Sequence, residues 1–512
     1  MKFLENNLNT ILPIRWLRNT RIVVNLIGSF HAGKEANKTP QCFAVLVMPW
    51  LGTDVPWFSI VFGLFLARKG NDVVFVVDNI PFGDNPIRYR FILWCVTSVL
   101  TRVAKRHKVM YLSGYASPEP LLPAEIAAVN KLASFNSIWA LKGETSRKGR
   151  KRYTDIVISQ LSASYAAVKA LIAANSFDAI FIPGGVYSSS GVWEECAAAA
   201  GIRVASYDGG AHGVLLICSN GIAAQLQDIP RAFAMLKNGP DFDREKQAMT
   251  ETALEEMRRR RAGTDKFSSQ QRGRAGGGLK FNKGVLIALN SSWDSAALGL
   301  HVVFDNSAQW IVDTTRWLLD STDSDIVIRQ HPVERLDIAR TSDDYSKLLS
   351  SNFGNNPRVH FIAATDLVNT YDLLNAVETV VVYTSTIGTE AAALGKVVVT
   401  PSKSYYSALG FVWNADSRET YFKHLSNAVQ GRYAVTPSMK EDAVCCYYLT
   451  QCCNWIASPF NPGDFNDWGK YDLEKLYGLA SVQLSLAAIQ NNVPAAILNH
   501  RARSRAACEV LS

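Results

Sequence analysis

The sequence predicts an α/β protein: two successive domains built on parallel sheets, followed by a helical C-terminal segment. Three observations carry this. Short aliphatic runs alternate with helical stretches, first from Phe43 and again from Val285, the pattern of βαβ units. A basic stretch at 258–283 separates the two series, with nine Lys or Arg against one acid, Asp265, and with Gly276-Gly277-Gly278. The strands end in loops of Gly, Ser, Thr, Asp and His, placed where parallel α/β domains bind ligands, at the carboxyl edge of the sheet. The expected organisation is therefore a first domain at 1–257, a linker at 258–283, a second domain at 284–435 and a helical segment at 436–512.

Composition bounds the class. Of 512 residues, 48% are hydrophobic and 19% charged, enough to bury sizeable cores. No contiguous apolar run reaches the ~18 residues of a membrane span, and Glu5, Asn6 and Asn7 interrupt any N-terminal apolar region, so a cytoplasmic protein is expected. The nine cysteines include the adjacent pairs Cys445/Cys446 and Cys452/Cys453 and no CxxC spacing. Buried free thiols fit this better than disulfides or zinc. The net charge of +8 is concentrated locally, which suits anionic ligands or an anionic membrane surface and not sequence-specific nucleic-acid binding.

In the first series, Arg15, Arg18 and Arg21 lie among Leu, Ile and Trp16, in an amphipathic entry segment or the first helix of the domain. The strand Phe43–Met48 leads into Pro49-Trp50-Leu51-Gly52-Thr53-Asp54. A helix from Pro56 to Arg68 and a strand from Asp72 to Val77 follow, which puts Gly52 and Asp54 at a carboxyl edge. Residues 87–108 combine the apolar stretch Phe91–Leu100 with Arg88, Arg90, Arg102, Lys105, Arg106 and Lys108. Such a helix can lie on an anionic membrane; a core helix with solvated ends fits the same pattern, and the pattern alone favours it. The basic run at 147–152 reads as a solvated loop. The strand Asp178–Pro183 ends in Gly184-Gly185, and Ser188–Ser190 lead into a helix. The strand Ile202–Tyr207 then delivers Asp208-Gly209-Gly210-Ala211-His212-Gly213. A Gly-rich loop holding Asp208 and His212 suits acid–base chemistry. The alternatives are a turn residue that caps its own backbone, for Asp208, and a structural hydrogen bond, for His212.

In the second series, the strand Val285–Leu289 ends in Asn290-Ser291-Ser292-Trp293-Asp294, and the strand Asp325–Ile328 runs into Arg329-Gln330-His331-Pro332. Pro332 holds His331 in extended geometry, so the imidazole is fixed at the strand's end. The strand at Val380–Val382 leads to Thr384, Ser385 and Thr386, then Gly388, then Glu390 at the head of an Ala-rich helix that Gly395 stops. A helix N-terminus with hydroxyls beside it suits a phosphate. Gly388 would admit close approach of a ligand, and Glu390 would accept hydrogen bonds from sugar or ribose hydroxyls. A capped helix, with Thr386 as N-cap, explains the segment without a ligand. Three loops expected on one edge favour the phosphate cradle.

Two α/β domains, a linker and a helical end resemble a GT-B-like fold, two Rossmann-like parallel-sheet domains facing a cleft. His331-Pro332, followed about fifty residues later by Thr384-Ser385-Thr386-Ile387-Gly388-Thr389-Glu390-Ala391 and Gly395-Lys396, resembles the His-Pro and Ser-Ser motifs of bacterial sialyltransferases and Kdo transferases and of capsule polysaccharide biosynthesis proteins. The resemblance covers about residues 40–435. The sequence departs from that pattern in two places: Tyr207 precedes Asp208-Gly209 where the family has a second acid, and the Ser-Ser pair reads Thr384-Ser385-Thr386. The resemblance implies a glycosyltransferase that takes a nucleotide-sugar donor, of open nucleobase, to a glycan or lipid-linked glycan acceptor. No H-x-E-type motif or carboxylate cluster stands at metal-ligand spacing, so a metal-independent reaction with no bound cofactor is expected. The implied donor-binding residues are Ser291, Ser292, Arg329, His331, Pro332, Thr384, Ser385, Thr386, Gly388 and Glu390. The implied acceptor-side catalytic residues are Asp208, with His212, and Asp54 as second choice. A GT-B-fold epimerase, a glycerophosphotransferase and a non-catalytic nucleotide-sugar-binding assembly protein remain as alternatives. Location at the inner face of the cell membrane is expected from residues 87–108 and the basic linker.

Overall fold

The computed structural model describes residues 14–30, 33–50, 53–82, 86–116, 119–144, 149–210, 213–265 and 279–511. The chain divides into two compact units. Met1–Ser137, Gly149–Asp228 and Asn454–Ser512 form the first; Ile138–Lys148 and Ile229–Cys453 form the second.

The first unit carries strands β1 (Cys42–Val47), β2 (Asp72–Val77), β3 (Lys108–Tyr111), β4 (Ala179–Pro183), β5 (Arg203–Gly210) and β6 (Val214–Cys218). The second carries β7 (Val285–Ala288), β8 (Ile326–Arg329), β9 (Val359–Ile362), β10 (Thr379–Val382), β11 (Val397–Thr400) and β12 (Trp413–Asn414), and β13 (Ile456–Ala457) returns to the first. The first sheet has the order β13-β6-β5-β4-β1-β2-β3, and the second β12-β11-β10-β7-β8-β9. In both, the first five strands of the series lie in the order 3-2-1-4-5, which is doubly wound and Rossmann-like. Every pairing in the second sheet is parallel. The first sheet adds an antiparallel edge, with β5 against β6 and β6 against β13.

The helix Val55–Arg68 shows how composition selects position. It is apolar all round, and every residue from Pro56 to Ala67 is buried. An all-apolar helix must be covered on every side. Phe62 stacks on Phe181 of the sheet, and Phe58 stacks on Phe460 of the C-terminal segment. The C-terminal residues Leu473, Leu476, Val482 and Leu486 belong to the same core. The helix Arg150–Ala173 is long and apolar enough by composition to cross a bilayer. Its stripe Val157, Leu161, Val168 and Leu171 is instead packed into the core on the other face of the first sheet.

The expected boundaries shift in three places. The first unit ends at Asp228, not near 257, because the helices Ile229–Lys237 and Phe242–Arg261 pack with Pro437–Tyr447 and Tyr448–Cys453 in the second unit. Arg258–Arg261 are the last turn of a helix and not a linker, a position where cations complement the helix dipole. Arg260 and Asp265 are buried, and 266–278 lie outside the described residues. The segment after 436 is divided at Cys453/Asn454, its first part packing with the second unit and its remainder with the first.

Candidate functional site

In the second unit, Ala288 at the end of β7 stands opposite Val382 of β10 and Arg329 of β8. The loops after β7, β8 and β10 therefore leave the sheet at one carboxyl edge. Because β7 and β10 are where the strand order reverses, the crevice between their ends is the position at which open α/β sheets take ligands. Asn290 and Thr384 meet there. Asn290 Nδ2–H donates to Thr384 Oγ1 at 3.0 Å, and its Oδ1 accepts from the Thr384 backbone N–H at 3.1 Å. Thr384 and Ser385 are buried, and Tyr406 donates its hydroxyl to the Ser385 carbonyl at 2.8 Å. Thr386 precedes the helix Ile387–Ala393 without a side-chain capping bond, so its partly buried hydroxyl is not used as an N-cap.

Two sequence expectations are corrected here. Gly388 does not open the backbone to a ligand. A Cβ at this position would lie 2.5 Å from the Tyr406 hydroxyl and 3.0 Å from Val382 Cγ2, so its role is close packing. Glu390 does not face a ligand either. It is 2% exposed; Oε1 accepts from Arg260 Nη1 at 3.0 Å, and Oε2 accepts from the Tyr371 hydroxyl. Arg260 further donates to Asp265 at 2.9 Å and Gln451 at 2.8 Å. This network ties the helix after β10 to the segment that precedes β7.

Pro332 acts on His331 as its chemistry requires: His331 is extended (φ −60°, ψ 126°), and a 3₁₀ turn spans Pro332–Arg335. His331 Nδ1 accepts from the Val333 backbone N–H at 3.2 Å. In the neutral ring Nε2 therefore carries the proton and is a donor. Burial, with the neighbouring Arg329 cation, lowers the imidazole to about 4, so the ring is neutral at pH 7. Arg329 is buried, and its guanidinium donates to the carbonyls of Ala363 and, at 3.1 Å, Val368. It is in no ion pair among the described residues, and burial lowers it to about 10. It is thus a cation that stays charged at neutral pH, with the Asp366 carboxylate acting on it from beyond ion-pair distance, and its direct contacts hold a loop.

Ser292 is committed to structure, donating to Asp343 at 2.9 Å. Ser291 is buried, and its hydroxyl faces the Glu334 carboxyl, whose charged form it favours. Glu334, which sequence reasoning passed over, accepts at Oε2 from Gln330 at 2.7 Å, and Ser291 and the Thr341 backbone N–H also favour its charged form. Burial raises the Glu334 carboxyl to about 7. The signal was available: an acid two residues after His331-Pro332 sits in the turn that Pro332 starts.

In the first unit, β5 continues through Asp208 to Gly210 and pairs antiparallel with β6, Asp208 opposite Leu216. The expected loop is thus, through Gly210, a continuation of the strand, and the chain pairs back on it from Val214. Asp208 is half-buried at the sheet's carboxyl edge, one residue beyond the Pro183–Tyr207 pair. Its Oδ1 accepts from the Gly209 N–H at 2.7 Å. His212 and Gly52 lie outside the described residues. Asp54 precedes the helix Val55–Arg68 and accepts from Asn19 Nδ2 at 3.1 Å; burial raises its carboxyl. Tyr207, beside Asp208, donates to the carbonyl of Val55, beside Asp54, at 3.2 Å. The same edge holds an acid not singled out from sequence. Asp78 directly follows β2, is 5% exposed, accepts from the Ser189 hydroxyl, and is raised by burial to about 6. An acid ending the apolar run Val73–Val77 was the readable sign.

Residues 237–430 match a family model described as capsule polysaccharide biosynthesis protein. The matched stretch falls within the second unit, and over it the chain resembles that family. No curated protein sequence matches the chain. Among solved structures, the chain is similar to Thermosulfurimonas dismutans KpsC, beta Kdo 2,4 transferase, at 14% identity over 59% of this chain and 88% of that one, with a TM-score of 0.35. It is similar to the beta Kdo 2,7 transferase of the same organism's KpsC at 15% identity, over 55% and 79%, with a TM-score of 0.33. A third similarity is to Methanocaldococcus jannaschii UDP-GlcNAc 2-epimerase in complex with UDP-GlcNAc and UDP, at 11% identity over 78% and 97%, with a TM-score of 0.25.

Proposed function

We propose that this chain is a glycosyltransferase of capsule polysaccharide biosynthesis, moving a sugar from a nucleotide-sugar donor to a surface-glycan or lipid-linked glycan acceptor. The observation that carries the proposal is the His331 turn. A neutral imidazole with its Nε2–H free of the backbone stands on the same carboxyl edge as Thr384, Ser385 and Thr386, in the unit that the capsule family model matches.

The chemistry follows from these groups. As the glycosidic bond to the donor breaks, negative charge grows on the leaving nucleotide phosphate. His331 Nε2–H and the hydroxyls of Ser385 and Thr386 donate to that phosphate. The buried Arg329 cation adds a favourable field from a distance, since its Nη donors are held by carbonyls. Fixed donors and dipoles of this kind stabilise developing charge without having to reorganise. The acceptor hydroxyl is deprotonated by a carboxylate of the first unit's carboxyl edge. Asp208 is assigned first and Asp54 second. Asp78 joins them because a carboxyl near 6 is ionised at neutral pH and still basic. Phosphate neutralisation is assigned to protein groups and not to a metal, and the reaction is placed in the cytoplasm, where nucleotide sugars are available.

The test begins with thermal unfolding in the presence of CMP, UDP, GDP and their sugars. A ligand that binds only the folded chain raises the midpoint, by about 2.7 kcal/mol of stabilisation at a hundred times its Kd. The nucleotide found this way is then offered with glycan acceptors. His331→Ala is expected to lose donor affinity and transfer together. Full transfer and unchanged affinity in that variant would overturn the assignment of His331. A lasting epimer formed from donor alone would replace transfer with epimerisation.

A further inference from the structure

The helices Ile14–Ser29 and Pro86–Val103 pack side by side in the first unit. Both bury one face in the same core, through Trp16 and Val23 on one helix and Ile92, Cys95, Val96 and Val99 on the other. Their opposite faces are therefore both turned outward. On that outer side Leu17 is 43% exposed, Ile87 76% and Trp94 57%. Arg21 and Arg90 are exposed on the same helices, as are Arg102 and Lys105 at the second helix's end. These four cations are in no ion pair among the described residues. Neither 14–29 nor 86–108 contains an Asp or Glu, against nine Lys or Arg in the two stretches together.

We infer that this two-helix face is a docking surface for an anionic lipid bilayer. Exposed apolar side chains of this size need a cover, and isolated ones are ordinary, but here they share a face with uncompensated cations. Sequence pattern alone favours a core helix for 87–108; the helix does bury one side in the core, and its other side exposes apolar and basic side chains among the described residues. Charge selects an anionic partner; Trp94 and Ile87 select one with an apolar interior. A tryptophan flanked by cations suits the depth of lipid headgroups, where its ring is apolar on one side and wet on the other. A nucleic acid would satisfy the cations but leave Ile87, Leu17 and the Trp94 edge in water. The hydroxyls on this face are already satisfied within the helix. Thr97 and Ser98 donate to the Trp94 carbonyl at 3.0 and 2.8 Å, and Thr101 donates to the Ser98 carbonyl at 2.8 Å. This lowers the cost of moving them out of water.

The test is flotation of the full chain with phosphatidylcholine vesicles, with and without phosphatidylglycerol, at low and high salt. Co-flotation is expected only with phosphatidylglycerol, and weaker at high salt. Neutralising a cation at the surface removes about 1 kcal/mol, or about five-fold in partitioning. The double variant Arg21→Gln/Arg90→Gln should therefore lower binding by more than ten-fold. Trp94→Ala should lower it at low salt and lose the fluorescence quenching that brominated lipid causes in the parent chain. Because all three side chains are exposed, unfolding midpoints should be unchanged, and nucleotide binding in solution should be unaffected. No flotation with anionic vesicles at low salt would overturn the proposal. So would flotation insensitive to both variants, or binding to RNA in place of vesicles.

Discussion

Asn290 and Thr384 hold each other through two hydrogen bonds, 3.0 and 3.1 Å long, across the point where the second sheet reverses its strand order. One side chain thereby satisfies both the hydroxyl and the backbone N–H at the start of the Thr384-Ser385-Thr386 loop. Asn290→Ala leaves that N–H in a buried loop without its acceptor. A loss of about 1–3 kcal/mol of stability is expected. Asn290→Asp keeps the acceptor and so should cost less stability, while placing a negative charge where the phosphate is proposed. Urea unfolding and nucleotide titration of the two variants should rank them in opposite order: Ala worse for stability, Asp worse for affinity.

Glu390 should behave as a structural residue. Breaking a buried ion pair by removing one partner costs ~3–5 kcal/mol because the other charge is left uncompensated. Glu390→Gln and Arg260→Met are each expected to destabilise strongly in denaturant melts. The double variant should cost clearly less than the sum of the two, since both lose the same interaction. A Glu390→Gln chain of normal stability with weakened sugar binding would restore the ligand role expected from sequence.

Gly388→Ala tests the packing explanation for that glycine. The new methyl would meet the Tyr406 hydroxyl at 2.5 Å, and overpacking of a closed core typically costs ~1–3 kcal/mol. Tyr406→Phe removes the nearest atom. Added to a chain that already carries Tyr406→Phe, the alanine should cost less than in the parent chain, when both are measured by the shift of the thermal midpoint.

Two neighbouring groups act on stability in opposite directions as pH changes. Glu334 is raised from 4.5 to about 7, so the folded chain holds its proton where the unfolded chain has lost it. Its contribution is fully present below about 4.5 and lost as pH rises to about 7. His331 is lowered from 6.5 to about 4, so its contribution is present above 6.5 and lost as pH falls to about 4. Between 4.5 and 6.5 the two slopes oppose each other, each approaching ~1.4 kcal/mol per pH unit. Glu334→Gln should therefore be more stable than the parent at about pH 8, above the folded-state value of the carboxyl. It should also reveal an uncompensated fall below pH 6.5 in a series of thermal midpoints.

Asp78 and Asp208 separate by kinetics. Asp208 is half-buried and partly solvated, so Asp208→Asn should lower kcat by about 10²-fold or more as a lost general base, at nearly unchanged stability. Asp78→Asn should disturb the Ser189 contact and lower the thermal midpoint. If Asp78 is the base, kcat/KM in the parent chain falls on the acidic side with a midpoint at about 6, and this limb disappears in Asp78→Asn with Asp208 intact.

Local pattern was enough for the alternation of strands and helices, for the parallel strands of both sheets and for the three loops at the edge of the second sheet, but not for the antiparallel edge of the first. Period and turn chemistry are properties of neighbouring residues, and Pro332 acts on His331 across one bond. Partners distant in sequence were out of reach. Glu390 and Arg260 are separated by 130 residues, and nothing near Glu390 shows that a cation will neutralise it. Gly388 reads as an opening until Tyr406 is laid across it. Arg258–Arg261 read as a solvated run because composition counts charges without showing which one is buried. The return of the C-terminal segment to the first unit follows from the all-apolar helix Val55–Arg68, but only folding decides which segment covers it. Sequence thus specified which groups stand at the carboxyl edges; tertiary structure decided which of them remain available. A side chain's hydrogen-bonding capacity is spent on whatever partner folding brings within reach.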